Sequence, residues 1–189
     1  MKVLGITGGV ATGKSTVSKI LKRYGGCLIS ADEIAHKIIL PGNIAYKKII
    51  KQFGKEVLSK HLTIDRKKLG ERIFKNRKLR KILERITHPE IIARIKKEIK
   101  RTKNSKKYKF IILEAPLLFE AKISNLVDLI IVVVCSQKTQ INRLMKKGLS
   151  RKLAKNMISA QIPLSKKIKK ADIVIINRDL NVSRHYFKS

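Results

Sequence analysis

The chain has 189 residues, enough for one ordinary domain or one core with small insertions, and its 43% hydrophobic content supports a packed core and excludes a disordered chain. Aromatic residues make up only 5% and Trp is absent, so the core is aliphatic. Lys and Arg number 45 against 13 Asp and Glu, a formal charge of +32, yet the cations are spread almost evenly, without the basic tail or aromatic interleaving of a base-stacking surface.

That spread reads as solvated basic faces arising from a Lys- and Ile-rich composition. No specific nucleic-acid partner is expected from it, while a field of this sign steers anionic substrates.

In chain order, the first element is a strand, "KVLGI" at 2–6, followed by "GGVATGKS" from Gly8 to Ser15. These eight residues match GxxxxGK[ST] at every fixed position and run into a helical pattern, "KSTVSKILKRYGG". Gly8 and Gly13 allow the turns that aim successive amides at phosphate oxygens, and the helix N-terminus adds partial positive charge. Lys14 reaches the terminal phosphates and the Ser15 hydroxyl ligates Mg²⁺, so ATP or GTP binding is expected, with Gly9, Ala11, Thr12 and Thr16 completing the loop.

A second strand, "CLISAD" at 27–32, ends in Asp32. A parallel sheet presents its ligands at that end of a strand, and a carboxylate there can take the proton of an attacking hydroxyl. The competing reading makes Asp32 a cap of the next helix. A mostly helical insertion follows, over about residues 32–105, with turns at Pro41-Gly42 and Gly54. Thr87-His88-Pro89-Glu90 reads as a helix start, with a capping Thr, an early Pro and a Glu three residues on. Three apolar strands then appear, "FIILE" at 110–114, "DLIIVVVC" at 128–135 and "DIVIIN" at 172–177, with a helical pair between the last two over 137–163. Near-continuous apolar runs suit strands buried on both faces of a parallel sheet, so the expected fold is α/β, a five-stranded parallel sheet of the P-loop nucleoside triphosphate hydrolase type.

Cys27 and Cys135 form no CxxC or pairing pattern and read as buried, reduced thiols. The N-terminus lacks the layout of a signal peptide, and the longest apolar run, "LVDLIIVVVC", is too short for a membrane span and carries Asp128. A cytoplasmic protein is expected, as a monomer or weak homo-oligomer.

The loop alone leaves the phosphate acceptor open. The guanine-specificity pattern NKxD is missing, the nearest stretch being "INRD" at 176–179, and the length leaves little room for helicase or transporter machinery. Small-molecule kinases remain, with one helical insertion for the acceptor and another as a lid.

Beyond the loop, "SADEIAHKIILPG" at 30–42, "ITHPEI" at 86–91, "EAPLLFEA" at 114–121, "QINR" at 140–143, "AQIPLSKK" at 160–167 and "ADIVIIN" at 171–177 occur in one order along nearly the whole chain. In this the sequence resembles the dephospho-CoA kinases. The resemblance implies transfer of the γ-phosphoryl group of ATP, with Mg²⁺, to the ribose 3′-hydroxyl of dephospho-CoA. It implies Asp32 as general base, with Lys14 also catalytic, and Arg143 and Asn177 facing ATP. It further implies acceptor contacts from Asp32, His36, His88 and the turn Pro116, Leu117, Leu118, Phe119 and Glu120. The nucleotide-binding core would comprise 1–31, 106–136 and 164–189, the acceptor insertion 32–105 and the lid 137–163.

His88 also fits a helix cap, Leu117 to Phe119 also fit plain core packing, Arg143 a solvated helix face and Asn177 a strand end. The chain departs from the family's pattern at Ser30, where an acidic residue is usual, and at Lys147 and Gly148 in the lid, where Arg and Asp are usual. Lys is a poorer bidentate phosphate ligand than Arg. The weighed alternatives are another small-molecule kinase, such as a nucleoside monophosphate kinase, and a basic P-loop ATPase that binds nucleic acid.

Overall fold

Five strands lie parallel: β1 (Val3–Gly8), β2 (Gly26–Ser30), β3 (Phe110–Glu114), β4 (Leu129–Val134) and β5 (Ile173–Arg178). The computed structural model describes residues 1–74, 76–178 and 181–187. The sheet order is β2-β3-β1-β4-β5-β6, where β6 (Asn181–Phe187) runs antiparallel to β5. The five parallel strands lie where the apolar runs predict them, and the sixth was not anticipated. Its sequence, "NVSRHYF", lacks the continuous apolar run that marks a strand covered on both faces.

The chain forms two compact units, one of Met1–Ser30 with Ile99–Ser189 and the other of Ala31–Glu98. The first holds the sheet. Its core gathers Ile6 of β1, Val17 of α1 (Lys14–Arg23), Ile112 of β3, Ile131 and Val133 of β4 and Ile175 of β5, all under 9% exposed. The strand sequence reverses direction across the sheet at β1: β2 and β3 lie to one side, β4 and β5 to the other. Ligands of open parallel sheets bind where the strand order reverses, outside the carboxyl ends of the strands. The glycine-rich loop follows β1 at that end.

Register is pinned twice by the same device. Asp128, just before β4, donates its N–H to the Val3 carbonyl at 2.8 Å and accepts the Val3 N–H on Oδ2 at 2.7 Å. Asp172, just before β5, pairs with Ile130 in the same way, at 3.0 and 2.7 Å. Each aspartate thus continues a ladder by one rung with its side chain, and a one-residue slip would leave a backbone amide unmatched.

The second unit contains α2 (Ala31–Ile38), α3 (Ile44–Phe53), α4 (Arg66–Phe74) and most of α5 (Arg77–Ser105). Ile49, Phe53, Val57, Ile64 and Leu69 form its core. The helix start expected at Thr87 is not one, because α5 runs straight through it and encloses Pro89. Leu79, Ile82, Leu83 and Ile86 pack on that core at helical spacing and hold the preceding turns in helix. Thr87 donates its hydroxyl back to the Leu83 carbonyl at 2.9 Å instead of capping. Pro89 removes the donor for the Arg85 carbonyl; both residues are exposed, so water can replace it.

Both cysteines are free and half-buried, more accessible than the sequence reading placed them. Among the described residues, no helix is long and apolar enough to cross a membrane.

The Val3 N–H holds the Asp128 carboxyl below its ordinary range, helped by the charges of Lys2, Lys103 and the N-terminal amine against a small desolvation cost. A lowered carboxyl contributes stability that is present above about pH 4 and lost as pH falls through the native value. Asp128→Asn should therefore lower the Tm at pH 7, and the gap to the parent chain should close towards pH 3 in paired thermal melts.

Candidate active site

The loop between β1 and α1 is shaped by its carbonyls. Gly8 and Gly13 have φ of 150° and 98°, and Ala11, an L-residue, sits at 58° in the left-handed region. Gly13 is required twice over. Its backbone conformation disfavours a side chain, and a Cβ there would lie 1.9 Å from Asn177 Nδ2.

Four successive carbonyls find partners. Gly9 O accepts the Thr12 hydroxyl at 2.9 Å and Lys14 Nζ at 2.8 Å. Val10 O accepts Gln140 Nε2 at 2.6 Å. Ala11 O accepts Arg143 Nη1 at 3.1 Å, and Thr12 O accepts Asn177 Nδ2 at 2.9 Å. In a trans peptide the C=O and the following N–H point in opposite directions. Gripping the carbonyls of Val10, Ala11 and Thr12 from outside therefore turns the amides of Ala11 and Gly13 the other way, while the Thr12 N–H turns back to the Gly9 carbonyl at 3.4 Å. An array of amides turned to one side is an anion cradle.

The supports come from elements far apart in sequence. Gln140 and Arg143 lie on α6 (Gln137–Met145), and Asn177 lies on β5 and is 5% exposed. Arg143 Nη2 also reaches Asn177 Oδ1 at 3.5 Å. Ile141 and Leu144 of α6, with Ala154 and Ile158 of α7 (Arg151–Ser159), form an apolar cluster that takes in Val10 and Ala11. Arg143 and Asn177, singled out in the sequence as facing ATP, thus stand on the loop's backbone. Gln140 joins them, and Gln161 accepts the Val10 N–H on Oε1 at 2.8 Å; neither carries a role in the sequence reading. For Gln140 the available signal was its place on the apolar face of α6, beside Ile141 and four residues before Leu144.

At the start of α1, the exposed Ser15 donates its hydroxyl to Glu114 Oε1 at 2.6 Å, and the Thr16 N–H turns back to the Gly13 carbonyl at 3.1 Å. Glu114 ends β3 and is 8% exposed. Two hard oxygens so placed suit Mg²⁺, which takes one or two protein ligands beside phosphate oxygens and water. Among the described residues there is no cluster of three or more His, Cys, Asp or Glu that could hold a metal by itself.

Ser30, the last residue of β2, stands opposite Glu114 in register, and Asp32 follows two residues later in the first turn of α2, exposed. His36 occupies the last turn of the same helix, also exposed, and His88 lies half-buried in the middle of α5.

The turn after β3 is anchored from within. Pro116 O accepts the Thr7 hydroxyl at 3.2 Å and Lys167 Nζ at 2.8 Å. Lys167, on α8 (Leu164–Ile168), is fully buried and pairs with Glu120 Oε1 at 2.9 Å, which also accepts the Ile162 N–H. Leu118 is fully buried, Leu117 is 40% exposed, and Lys170 Nζ stands 5.6 Å above the Phe119 ring. The structure thus gives Pro116, Leu118 and Glu120 internal partners and leaves Leu117 the most open of the turn.

The helical unit carries a groove of its own, lined by Ile38, Asn43, Ala45, Ala93, Arg94 and Lys97 among others.

A model of the dephospho-CoA kinase family (CoaE) matches residues 2–181. A dephospho-CoA kinase from Carboxydothermus hydrogenoformans is 48% identical over 178 residues, covering 94% of this chain and 86% of that protein. A dephospho-CoA kinase domain-containing protein from Danio rerio is 43% identical over 98% of this chain and 81% of its own length. The structure of dephospho-CoA kinase from Campylobacter jejuni superposes with a TM-score of 0.67 at 37% identity, over 94% of this chain and 88% of that one. The crystal structure of TT1252 from Thermus thermophilus gives a TM-score of 0.78 at 27% identity, over 95% and 90%.

Gly13→Ala should weaken binding of ATP by about a hundredfold or more, since the new methyl must push Asn177 off the Thr12 carbonyl in a backbone conformation that already disfavours it. Calorimetric titration with ATP measures this, and an unchanged far-ultraviolet circular dichroism spectrum shows that the fold is retained.

Proposed function

Because the chain belongs to the dephospho-CoA kinase family, we propose that it transfers the γ-phosphoryl group of ATP to the ribose 3′-hydroxyl of dephospho-CoA, giving coenzyme A and ADP in coenzyme A biosynthesis. The observation that carries this reading is the loop, whose externally gripped carbonyls aim the Ala11 and Gly13 amides to one side beside Lys14 and Ser15.

In this reading the sheet unit is the nucleotide-binding core. The loop amides and Lys14 hold the phosphates, and Lys14 exchanges its bond to Gly9 O for phosphate oxygens. Ser15 and Glu114 would hold Mg²⁺, which when bound neutralises charge on the phosphates. Residues 137–163 serve as the lid, in which Lys147, Arg151 and Lys152 replace some of the arginines usual there. Asp32 is the general base. It takes the hydroxyl proton as that oxygen bonds to the γ-phosphorus, the bond to the bridging β,γ oxygen breaks, and its electron pair leaves with ADP. Positioning and charge stabilisation supply most of the acceleration in such reactions.

The helical unit receives the acceptor, with His36 and His88 as candidate contacts, and Leu117 and Phe119 are the members of their turn with surface to offer. Its groove sets Arg94 and Lys97, with Glu90 also on the wall, beside the apolar Ile38 and Ala93, a net positive and partly apolar lining that suits an acceptor with a diphosphate and an alkyl arm. We further read the protein as cytoplasmic, as a monomer or weak homo-oligomer, and as acting without a specific nucleic-acid partner. The even spread of its cations supports the last point, and only weak retention on nucleic acid, without sequence or structure preference, would check it.

ADP release from ATP and Mg²⁺ should depend on dephospho-CoA and yield a product with the mass of coenzyme A, while AMP, CMP and adenosine should support little. Release with one of those instead would keep the kinase and discard the acceptor. Asp32→Asn should bind ATP nearly as the parent does and lose turnover by about 10²–10⁴-fold, the usual cost of removing a general base. Replacing both Arg94 and Lys97 with Gln should raise KM for dephospho-CoA by about tenfold and leave KM for ATP in place, as loss of charge-assisted contacts to one substrate predicts.

A further inference from the structure

Val10 is held on both sides by glutamines that lie outside the phosphate-loop motif. Gln140 of α6, only 2% exposed, donates Nε2 to the Val10 carbonyl at 2.6 Å. Gln161, in the segment between α7 and α8, accepts the Val10 N–H on Oε1 at 2.8 Å. The orientation of each amide is forced by its partner, since a backbone N–H needs the oxygen and a backbone C=O needs the nitrogen. The approach is close: a Cβ on Gly9 would lie 2.5 Å from Gln140 Nε2.

Two consequences follow for the loop. The Val10 N–H is committed to Gln161 and so withdrawn from the phosphate cradle. The Val10–Ala11 peptide, fixed by its carbonyl, turns the Ala11 N–H the other way and carries Ala11 into the left-handed conformation, which an alanine leaves unless its neighbours hold it. The two glutamines therefore decide which amides face the nucleotide.

We propose that Gln140 and Gln161 are positioning residues for phosphoryl transfer, a polar clamp on Val10 through which α6 and the α7–α8 segment set the phosphate-binding geometry of the loop. The inference rests on the reading of the loop as the ATP site. Both helices of the lid segment end close to this clamp in sequence, Gln140 within α6 and Gln161 two residues past α7, so the loop's geometry is tied to the elements that flank it.

The test exploits the opposite polarity of the two bonds. Gln161→Glu keeps an acceptor for the Val10 N–H. Gln140→Glu replaces a donor with an acceptor against the Val10 carbonyl. Both put one added negative charge beside the same residue and hardly change shape. With the purified full chain, Gln140→Glu should raise KM for ATP by about tenfold or more, as expected for a buried carbonyl left without its donor, and Gln161→Glu by about threefold at most. In both variants KM for dephospho-CoA should stay near the parent value.

Equal shifts in KM for ATP in the two variants would mean that charge alone acts, and would overturn the clamp. A loss of Tm and of active fraction with KM for ATP unmoved would mean plain packing, and would also overturn it. Should Gln140→Glu fail to fold, Gln140→Met removes the donor without charge, and an unchanged KM for ATP there has the same meaning. Lys14→Ala separates the two levels: if ATP binds it as tightly as the parent, the loop is not the ATP site. If Lys14→Ala loses ATP while the two glutamate variants behave alike, the ATP site stands and the clamp falls.

Discussion

A loop that turns its amides to one side must satisfy its carbonyls on the other, and this polar asymmetry organises the sheet unit. Between Gly9 and Thr12 four consecutive carbonyls are bonded, one of them by groups of the loop itself and three by side chains from α6 and β5. A buried carbonyl without a partner costs about 1–3 kcal/mol, so a loop lacking these supports would relax towards a turn that bonds to itself. The supports can meet the loop only if β5 lies on the β4 side of β1 in fixed register and α6 follows β4 at the correct end. Sheet order and helix placement are thus tied to the same few bonds.

Register in turn depends on the paired aspartates at the entries to β4 and β5. The acidic residues of the sheet unit are Glu114, Glu120, Asp128, Asp172 and Asp179; the first four are each bound to a backbone amide, a hydroxyl or a buried ammonium, and Asp179 lies outside the described residues. In a chain so poor in acids, Glu120, Asp128 and Asp172 serve architecture. The surface that remains carries the excess of cations, which favours the approach of polyanionic substrates such as ATP. The buried Lys167 shows the cost of this arrangement. Its charge is sustained by Glu120 and the Pro116 carbonyl together, and it holds the turn after β3 against α8.

The motifs carried different kinds of information. The phosphate loop, the aspartate after β2 and the five apolar runs were each readable locally, because glycine placement, strand hydrophobicity and the residue types needed around phosphate are local constraints. The Thr87-Pro89 signal misled, because capping chemistry in sequence competes with packing that sequence does not display. The apolar positions from Leu79 to Ile86 won, and the helix continued through the proline. Asn177 and Arg143, expected to face ATP, bond to backbone carbonyls of the loop, which no side-chain pattern announces.

An α/β chain with a phosphate loop after its first strand, a carboxylate after its second and a long helical insertion is legible in residue order alone. These follow from hydrophobic period, from glycine and from the narrow set of residues that can hold a phosphate. The rest emerges from the folded chain: the antiparallel sixth strand at the β5 edge, the meeting of Ser15 with Glu114, and the grip of Gln140, Gln161, Arg143 and Asn177 on three successive residues of the loop. The bonds that grip the loop join positions more than a hundred residues apart through the backbone, and such bonds depend on where the chain passes in space rather than on the side chain of the residue they reach.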